Sequence, residues 1–399
     1  MEKRIVVFDW GASSFFGWGI YGVNLMLNWA LRPDIQAISA RQLRPQEILV
    51  GPLEQKLLQP LYEASRTLCE RRGTWPEPVM NVPTLVMHCL GNDITFATDE
   101  RPMIGNPTVG VIFSEDASLS PMGFERSKLY SLIVTGSTWG REILQANGVS
   151  HVETVVQGVD TTLFHPAPKR GIFQDKFVVF SGGKLELRKS QDLVVEAFRI
   201  FASRHADAVL LTAWCSPWPQ FAAMLNDNPN LQPIRFNGAI PNIGRWTTEN
   251  GIPPQQTFHL GAIPQPSMPQ VLREADVALF PNRAEGGTNL VAMEAMACGV
   301  PAILSANTGH LDLIHDRNCY PLLRQHTIDG PSRAGWGESD VDEIVAALEQ
   351  AYAHRQDAAD RGSRGSQFIS QWTWAAQLDQ LADLLQPFLA QTAPVPAAV

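Results

Sequence analysis

Residues 277–305 read VALFPNRAEGGTNLVAMEAMACGVPAILS. A short apolar run, VALFPN, meets a polar glycine-containing loop, RAEGGT. A nearly all-apolar stretch of helical length, LVAMEAMACG, then stops at Gly299 before a second apolar run, PAILSA. Strand, loop, helix and strand in that order make one βαβ unit, which demands a parallel pairing. A strand buried on both faces reads as a continuous apolar run rather than an alternating one, so the sheet is covered by helices on both sides.

The same alternation extends in both directions. Upstream, RIVVF, TLVMHCL, TVGVIF and LIVTGS read as strands, with helices at IYGVNLMLNWAL and at WGREILQAN, whose Gly148 is a stop signal. After VETVVQGVDTTLFHP comes the polar stretch APKRGIFQDK, and then FVVFSGG opens a second series: helix VVEAFRIFASRH, strands AVLLTAW and TFHLGAI, helix SMPQVLREA. The fold class is therefore α/β, with two doubly wound, Rossmann-like domains: 1–168, and 169–372, followed by a C-terminal helix at WTWAAQLDQLADLLQPFL and a frayed tail in 373–399. Residues 214–254 hold seven prolines and little periodicity, which predicts an irregular insertion.

Composition narrows the function. The 399 residues are 45% hydrophobic, enough for two cores, and carry a net charge of −9 without a Lys/Arg block. A nucleic-acid surface and a polybasic membrane patch are not indicated, so a small ligand is expected. Five widely spaced cysteines never form a C-x-x-C pair, which fits reduced thiols rather than a disulfide framework or a zinc site. The apolar run after MEKR ends at Asp9, too short for a signal peptide, and no stretch reaches a membrane span. A soluble cytoplasmic protein is expected; peripheral membrane contact and oligomeric state stay open.

Three places carry candidate chemistry. Gly17, Gly19 and Gly22 fit G-x-G-x-x-G, but eight residues separate Phe8 from Gly17 and the next strand ends in Arg41 with no acidic residue for a ribose, which argues against a nicotinamide site. Either these glycines let the loop come close to a ligand at the sheet's carboxyl edge, or the loop is merely flexible. In FSGGKLELRKS, a strand end with Gly182 and Gly183 is followed by Lys184 and Lys189, cations suited to a diphosphate; the alternative is solvated surface lysines. In EGGTNLVAME, the helix starts near Thr288 or Asn289, and the free amides of Asn289 and Leu290 are an anion site. Glu294, one and a half turns in, leans back toward that end, where it accepts hydrogen bonds from a ribose diol. A buried Glu paired with a Lys or Arg is the alternative.

On these residues the sequence resembles the GT-B fold glycosyltransferases of family 4, retaining enzymes that use a nucleotide sugar. VVQGVDTTLFHP resembles the segment closing the family's N-terminal domain, with Gln157 for Asn. GGKLELRKS resembles its donor-phosphate segment, with Lys184 standing for the Arg. LGAIPQPSMPQVLREADVALFPN resembles the segment whose backbone, here Gly261 to Ile263, meets the base. EGGTNLVAMEAMACGVP resembles the two-glutamate signature, and WTW the start of the returning C-terminal helix. Glu285 and Glu294 have eight residues between them, one more than the family pattern.

The resemblance implies two domains facing a cleft, the first on the acceptor side, and sugar transfer from a UDP- or GDP-sugar to a hydroxyl acceptor, a glycan or small glycoside. It places Gly183, Lys184, Lys189, Gly286, Gly287, Thr288, Asn289, Leu290 and Glu294 at the donor and Glu285 at the transferred sugar. Lys184, Lys189 and the helix end would supply positive charge without a metal or other cofactor. Where the family often has His-Asp in the first domain, this chain has Ser114-Glu115-Asp116, and His88 is a further candidate. The alternatives are a nucleotide-sugar epimerase of the same fold and a non-catalytic nucleotide-sugar-binding protein.

Overall fold

The computed structural model describes residues 3–98 and 100–390. The tail expected to fray, TAPVPAAV, lies outside the described residues. The described chain forms two compact units, the first of 3–158 with 264–266 and 372–390, the second of 159–263 with 267–371.

Unit 1 is a six-stranded parallel sheet of β1 (Arg4–Asp9), β2 (Ile35–Ser39), β3 (Leu85–Leu90), β4 (Thr108–Ile112), β5 (Leu132–Thr135) and β6 (Val152–Thr154), in the order β2-β1-β3-β4-β5-β6. Its strands are the continuous apolar runs of the sequence because both faces are covered: Val6, Phe8, Leu85, Val86 and Val109 are all fully buried. The helix Trp374–Leu389 belongs to this unit, and Trp29 Nε1 donates to the Leu378 carbonyl at 3.1 Å.

A second covering helix, Pro52–Thr74, has no counterpart in the sequence reading. Its buried positions Leu58, Leu61, Ser65, Leu68 and Arg72 recur with helical spacing, but two of the five are polar, so no apolar stripe stands out. Arg72 can be buried because it pairs with Asp9 at 3.1 Å and Glu100 at 2.8 Å.

Unit 2 repeats the plan with β7 (Phe177–Lys184), β8 (Ala208–Cys215), β9 (Thr257–His259), β10 (Val277–Phe280), β11 (Ala302–Ser305) and β12 (Tyr320–Leu322), all parallel, in the order β9-β8-β7-β10-β11-β12. From β7 the chain winds outward to β8 and β9, then returns to lay β10 on the other side of β7. That reversal is a topological switch point, where loops diverge at the carboxyl edge and leave room for a ligand. The doubly wound α/β class expected from the sequence is the observed one.

Two expectations change. The chain passes between units at Gly158, ten residues before the boundary read at 168. Phe164 is buried, and the carbonyls of Leu163 and His165 accept hydrogen bonds from Arg273 of unit 2 at 2.7 and 2.9 Å. The supposedly irregular insertion contains the helices Pro219–Ala223 and Ile243–Glu249 and the ribbon Phe236–Asn237 with Ile240–Pro241. Its order comes from caps that leave no periodic signature: Asn242 accepts from Arg245 N at 3.0 Å, Asn250 from Gln232 N at 2.7 Å, and Trp246 is buried beneath them.

Candidate functional site

The site is built at the carboxyl edge of unit 2, where β7 and β10 separate. Strand β7 ends in Lys184; the short 3-10 turn Leu187–Lys189 and the helix Gln191–Ala202 follow. Strand β10 ends in Phe280, and residues 281–290 run buried to the helix Leu290–Ala297. All of that helix except Val291 is buried, which is why it reads as apolar all round.

These two loops meet through a buried charge cluster. Glu285, 4% exposed, takes Lys189 Nζ at 2.5 Å on Oε1 and Arg188 Nη1 at 3.0 Å on Oε2, and Asn282 Nδ2 also donates to Oε1. Burial alone would push this carboxyl up, but the Lys189 and Arg188 charges outweigh it and hold the group down to about 2. Arg188 spans onward to Glu186 at 2.5 Å, and Lys184 Nζ lies 3.5 Å from the same carboxylate. A second buried guanidinium, Arg283, pairs with Asp192 at 2.6 Å and Glu338 at 2.7 Å and staples the same loops from behind.

A neutral relay connects Glu285 to the helix start. Asn289 is the N-cap residue with φ +62°, and its Nδ2 donates to His310 Nε2 at 3.0 Å. An accepting Nε2 fixes the proton on Nδ1, which donates to Ser305 Oγ at 2.9 Å; Ser305 Oγ donates to the Asn282 carbonyl at 2.7 Å. Burial pushes the His310 imidazole down to about 4, so the ring is neutral near pH 7. The loop carrying His310 lies so close that a Cβ on Gly309 would sit 1.8 Å from the Gly287 carbonyl oxygen, and Gly309 N donates to the Glu285 carbonyl at 3.0 Å.

Of the residues singled out in the sequence, Lys184, Lys189, Glu285, Gly286, Gly287, Thr288, Asn289, Leu290 and Glu294 therefore belong to one side of one sheet. Gly183 precedes Lys184 with φ +126°, and Glu294 is 2% exposed in the helix's second turn. Gly261, with φ +69°, and Ile263 follow β9 at the far side of the same carboxyl edge. Some roles differ from expectation. Lys189 is a counter-ion of Glu285 rather than an open phosphate cation, and the Asn289 amide is engaged by His310. Thr288 turns its hydroxyl to Met293 Sδ at 2.9 Å. Lys184, about a third exposed, remains accessible.

The first-domain candidates are used by their own unit. His88 is 2% exposed on β3, with Nε2 at 2.8 Å from the Met103 carbonyl, Nδ1 at 3.3 Å from Tyr130 Oη and its ring stacked on Phe96. Burial pushes it toward the neutral form, and it is a packing residue. Asp116 turns back on its loop, accepting from Ser118 N at 2.9 Å and Ser118 Oγ at 2.7 Å. Glu115 is half-buried and its backbone N–H donates to Asn92 Oδ1 at 2.8 Å. Gly17 opens the helix Gly17–Leu31, and a Cβ on Gly19 would lie 2.5 Å from Ser13 Oγ. Gly19 thus admits its own loop rather than a ligand.

Sequence reasoning missed Arg188, Asn282 and His310. Arg188 stood beside Lys189 in LELRKS; Asn282 and His310 gave no local signal, because their roles depend on β10 and β11 being neighbours. An Asp-x-Asp pair occurs at Asp340 and Asp342, but Asp340 is an N-cap that accepts from Glu343 N at 3.0 Å.

Two doubly wound parallel domains, with charged residues at a switch point of the second, define the GT-B class of architecture. The Thermosynechococcus elongatus sucrose-phosphate synthase superposes with a TM-score of 0.63 at 16% identity, covering 98% of this chain and all of that one. The Anabaena HepE protein in complex with UDP and glucose gives 0.62 at 15% identity, covering 96% of this chain and 100% of its own. Residues 265–381 match the family described as "Family 4 Glycosyltransferase in conflict systems". The GDP-mannose-dependent alpha-(1-6)-phosphatidylinositol monomannoside mannosyltransferase of Mycolicibacterium smegmatis is 26% identical over 59% of this chain and 56% of its own length. The D-inositol 3-phosphate glycosyltransferase of an Arthrobacter species is 25% identical over 54% and 44%. The chain spans about half the length of these curated relatives. The solved structures share the GT-B fold with this chain, and its likeness to family 4 glycosyltransferases rests on residues 265–381 and on these relatives. Among the described residues no helix is long and apolar enough to cross a membrane.

Proposed function

We propose that the chain is a cytoplasmic retaining glycosyltransferase that moves a sugar from a UDP- or GDP-sugar to a hydroxyl of a glycan or small glycoside, with unit 1 on the acceptor side. The observation that carries this reading is the convergence of Lys184, the buried Glu285 cluster and the start of the helix Leu290–Ala297 at one switch point. The relatives' printed activities, mannosyl and inositol-phosphate glycosyl transfer, agree with it.

In this chemistry the bond between the anomeric carbon and the diphosphate breaks, so negative charge grows on the leaving group and positive charge on the sugar ring. The first-turn amides of the helix have no intrahelical partner and carry the positive end of its dipole, so they receive the diphosphate together with Lys184. Fixed donors of this kind stabilise a developing charge without reorganising when it appears. Glu285, ionised throughout the neutral range, faces the ring side with its carboxylate locked by Lys189, Arg188 and Asn282. Glu294 receives the ribose diol.

The test is nucleoside diphosphate release from a panel of UDP- and GDP-sugars with and without glycoside acceptors, followed by proton NMR of the product. Acceptor-dependent release with an anomeric configuration matching the donor is expected. Release that ignores the acceptor, or an inverted product, overturns the reading.

A further inference from the structure

Strand β8 ends at Cys215, directly beside Lys184 at the end of β7, and continues as Ser216-Pro217-Trp218-Pro219. Trp218 is 45% exposed, although it does not dangle. Ser216 Oγ accepts from Trp218 N at 3.2 Å and donates to the Trp218 carbonyl at 3.0 Å, and a proline on each side restricts the backbone. Phe221, also exposed, stands edge-on with ring centroids 6.1 Å apart. The hydrophobic core of unit 2 uses other aromatics, Trp214 and Trp246, both buried. Holding a large indole rigid and in water is not what packing requires.

What lies on the indole is a cation. Lys184 Nζ is 5.4 Å from the Trp218 ring centroid, while 3.5 Å away from Glu186. The strand order puts β8 between β7, whose end carries Lys184, and β9, which leads to Gly261 and Ile263. Trp218 therefore stands at the carboxyl edge between the cation for a diphosphate and the loop proposed to meet a base.

We propose that Trp218 is the stacking platform for the donor's base, and that Lys184 leaves the indole face for the diphosphate when the nucleotide arrives. This rests on the donor-site reading above and adds a residue and a role to it. Every base has a π-face, so the platform adds affinity for any nucleoside diphosphate and does not choose the base. Inorganic pyrophosphate, which has the charge and no base, reaches Lys184 without using Trp218.

Isothermal titration of the full chain with UDP, GDP and inorganic pyrophosphate separates these contributions. Trp218→Ala is expected to weaken the nucleoside diphosphates roughly ten- to hundredfold, the range for loss of one base–aromatic stack, with pyrophosphate unchanged. Trp218→Phe keeps a π-face and is expected to stay within about threefold of wild type. Lys184→Ala weakens all three probes. Undiminished UDP and GDP binding by Trp218→Ala overturns the inference, as does an equal loss of pyrophosphate. Wild-type protein that binds none of the three probes overturns the donor-site reading and this inference with it.

Discussion

Replacing Glu285 by Gln keeps the size and hydrogen-bonding shape of the side chain and removes its charge, leaving Lys189 buried without its counter-ion. Arg188 is less affected, because Glu186 and the Ala284 carbonyl still hold it at 2.5 and 2.9 Å. The fold holds Glu285 from an ordinary 4.5 down to about 2, which at about 1.36 kcal/mol per tenfold is about 3 kcal/mol in favour of the charged form. Breaking one partner of a buried pair costs about 3–5 kcal/mol, consistent with that figure. Urea unfolding, with hydrogen exchange of segment 282–294 to localise the effect, should show Glu285→Gln destabilised by about 3 kcal/mol. The double variant Glu285→Gln/Lys189→Met should regain most of the loss, since an unpaired cation is no longer buried. The pH dependence has a definite sign. A carboxyl with a depressed native pKa contributes fully above its unfolded value and loses that contribution as pH falls toward the native value, so the gap between wild type and variant should close between about pH 4.5 and 2. A loss below about 1 kcal/mol, or single variants whose effects simply add, would refute the cluster as described.

Other expectations follow from the same geometry. Glu285→Gln should also lower kcat by about a hundredfold or more, about 2.7 kcal/mol, with nucleoside diphosphate affinity nearly unchanged, as stopped assays and titration together will show. Glu294→Gln should raise the donor KM more than it lowers kcat, because a ribose contact changes little during reaction; the reverse pattern removes Glu294 from the ribose. His310, neutral with a native value near 4 against an ordinary 6.5, takes up its proton more readily when unfolded, so stability should decline as pH falls from about 6.5 to 4. The decline should flatten in His310→Gln when unfolding is measured across that range. Turnover should persist in EDTA, since Lys184 and the helix end supply the charge; loss in chelator with recovery in Mg²⁺ or Mn²⁺ contradicts this.

Most of the fold was legible because a doubly wound sheet writes each strand as a short apolar run, as in RIVVF and FVVFSGG. What stayed hidden was order made by single polar contacts. The helix Pro52–Thr74 buries Ser65 and Arg72 in its stripe, and the 214–254 segment is held by Asn caps, so neither shows a clean period. At the candidate site, Lys184, Lys189, Glu285 and Glu294 could be named from spacing and resemblance, since each lies within a strand–loop–helix unit. Their division of labour could not, because Lys189 meets Glu285 only when β7 and β10 pair. His88 differs for the opposite reason: read as following an apolar strand, it lies inside Leu85–Leu90, where Met103, Tyr130 and Phe96 enclose it.

The central claim is that the carboxyl edge of unit 2 receives a nucleotide diphosphate through Lys184. Titration calorimetry of UDP and GDP against wild type and Lys184→Ala tests it most directly. Wild type should bind at least one of the two, and Lys184→Ala should bind that ligand more weakly by about 1–3 kcal/mol, the loss of a charged hydrogen bond, with its unfolding midpoint unchanged because the side chain is partly exposed. Equal affinity in the two proteins, or no binding by wild type, would contradict the account.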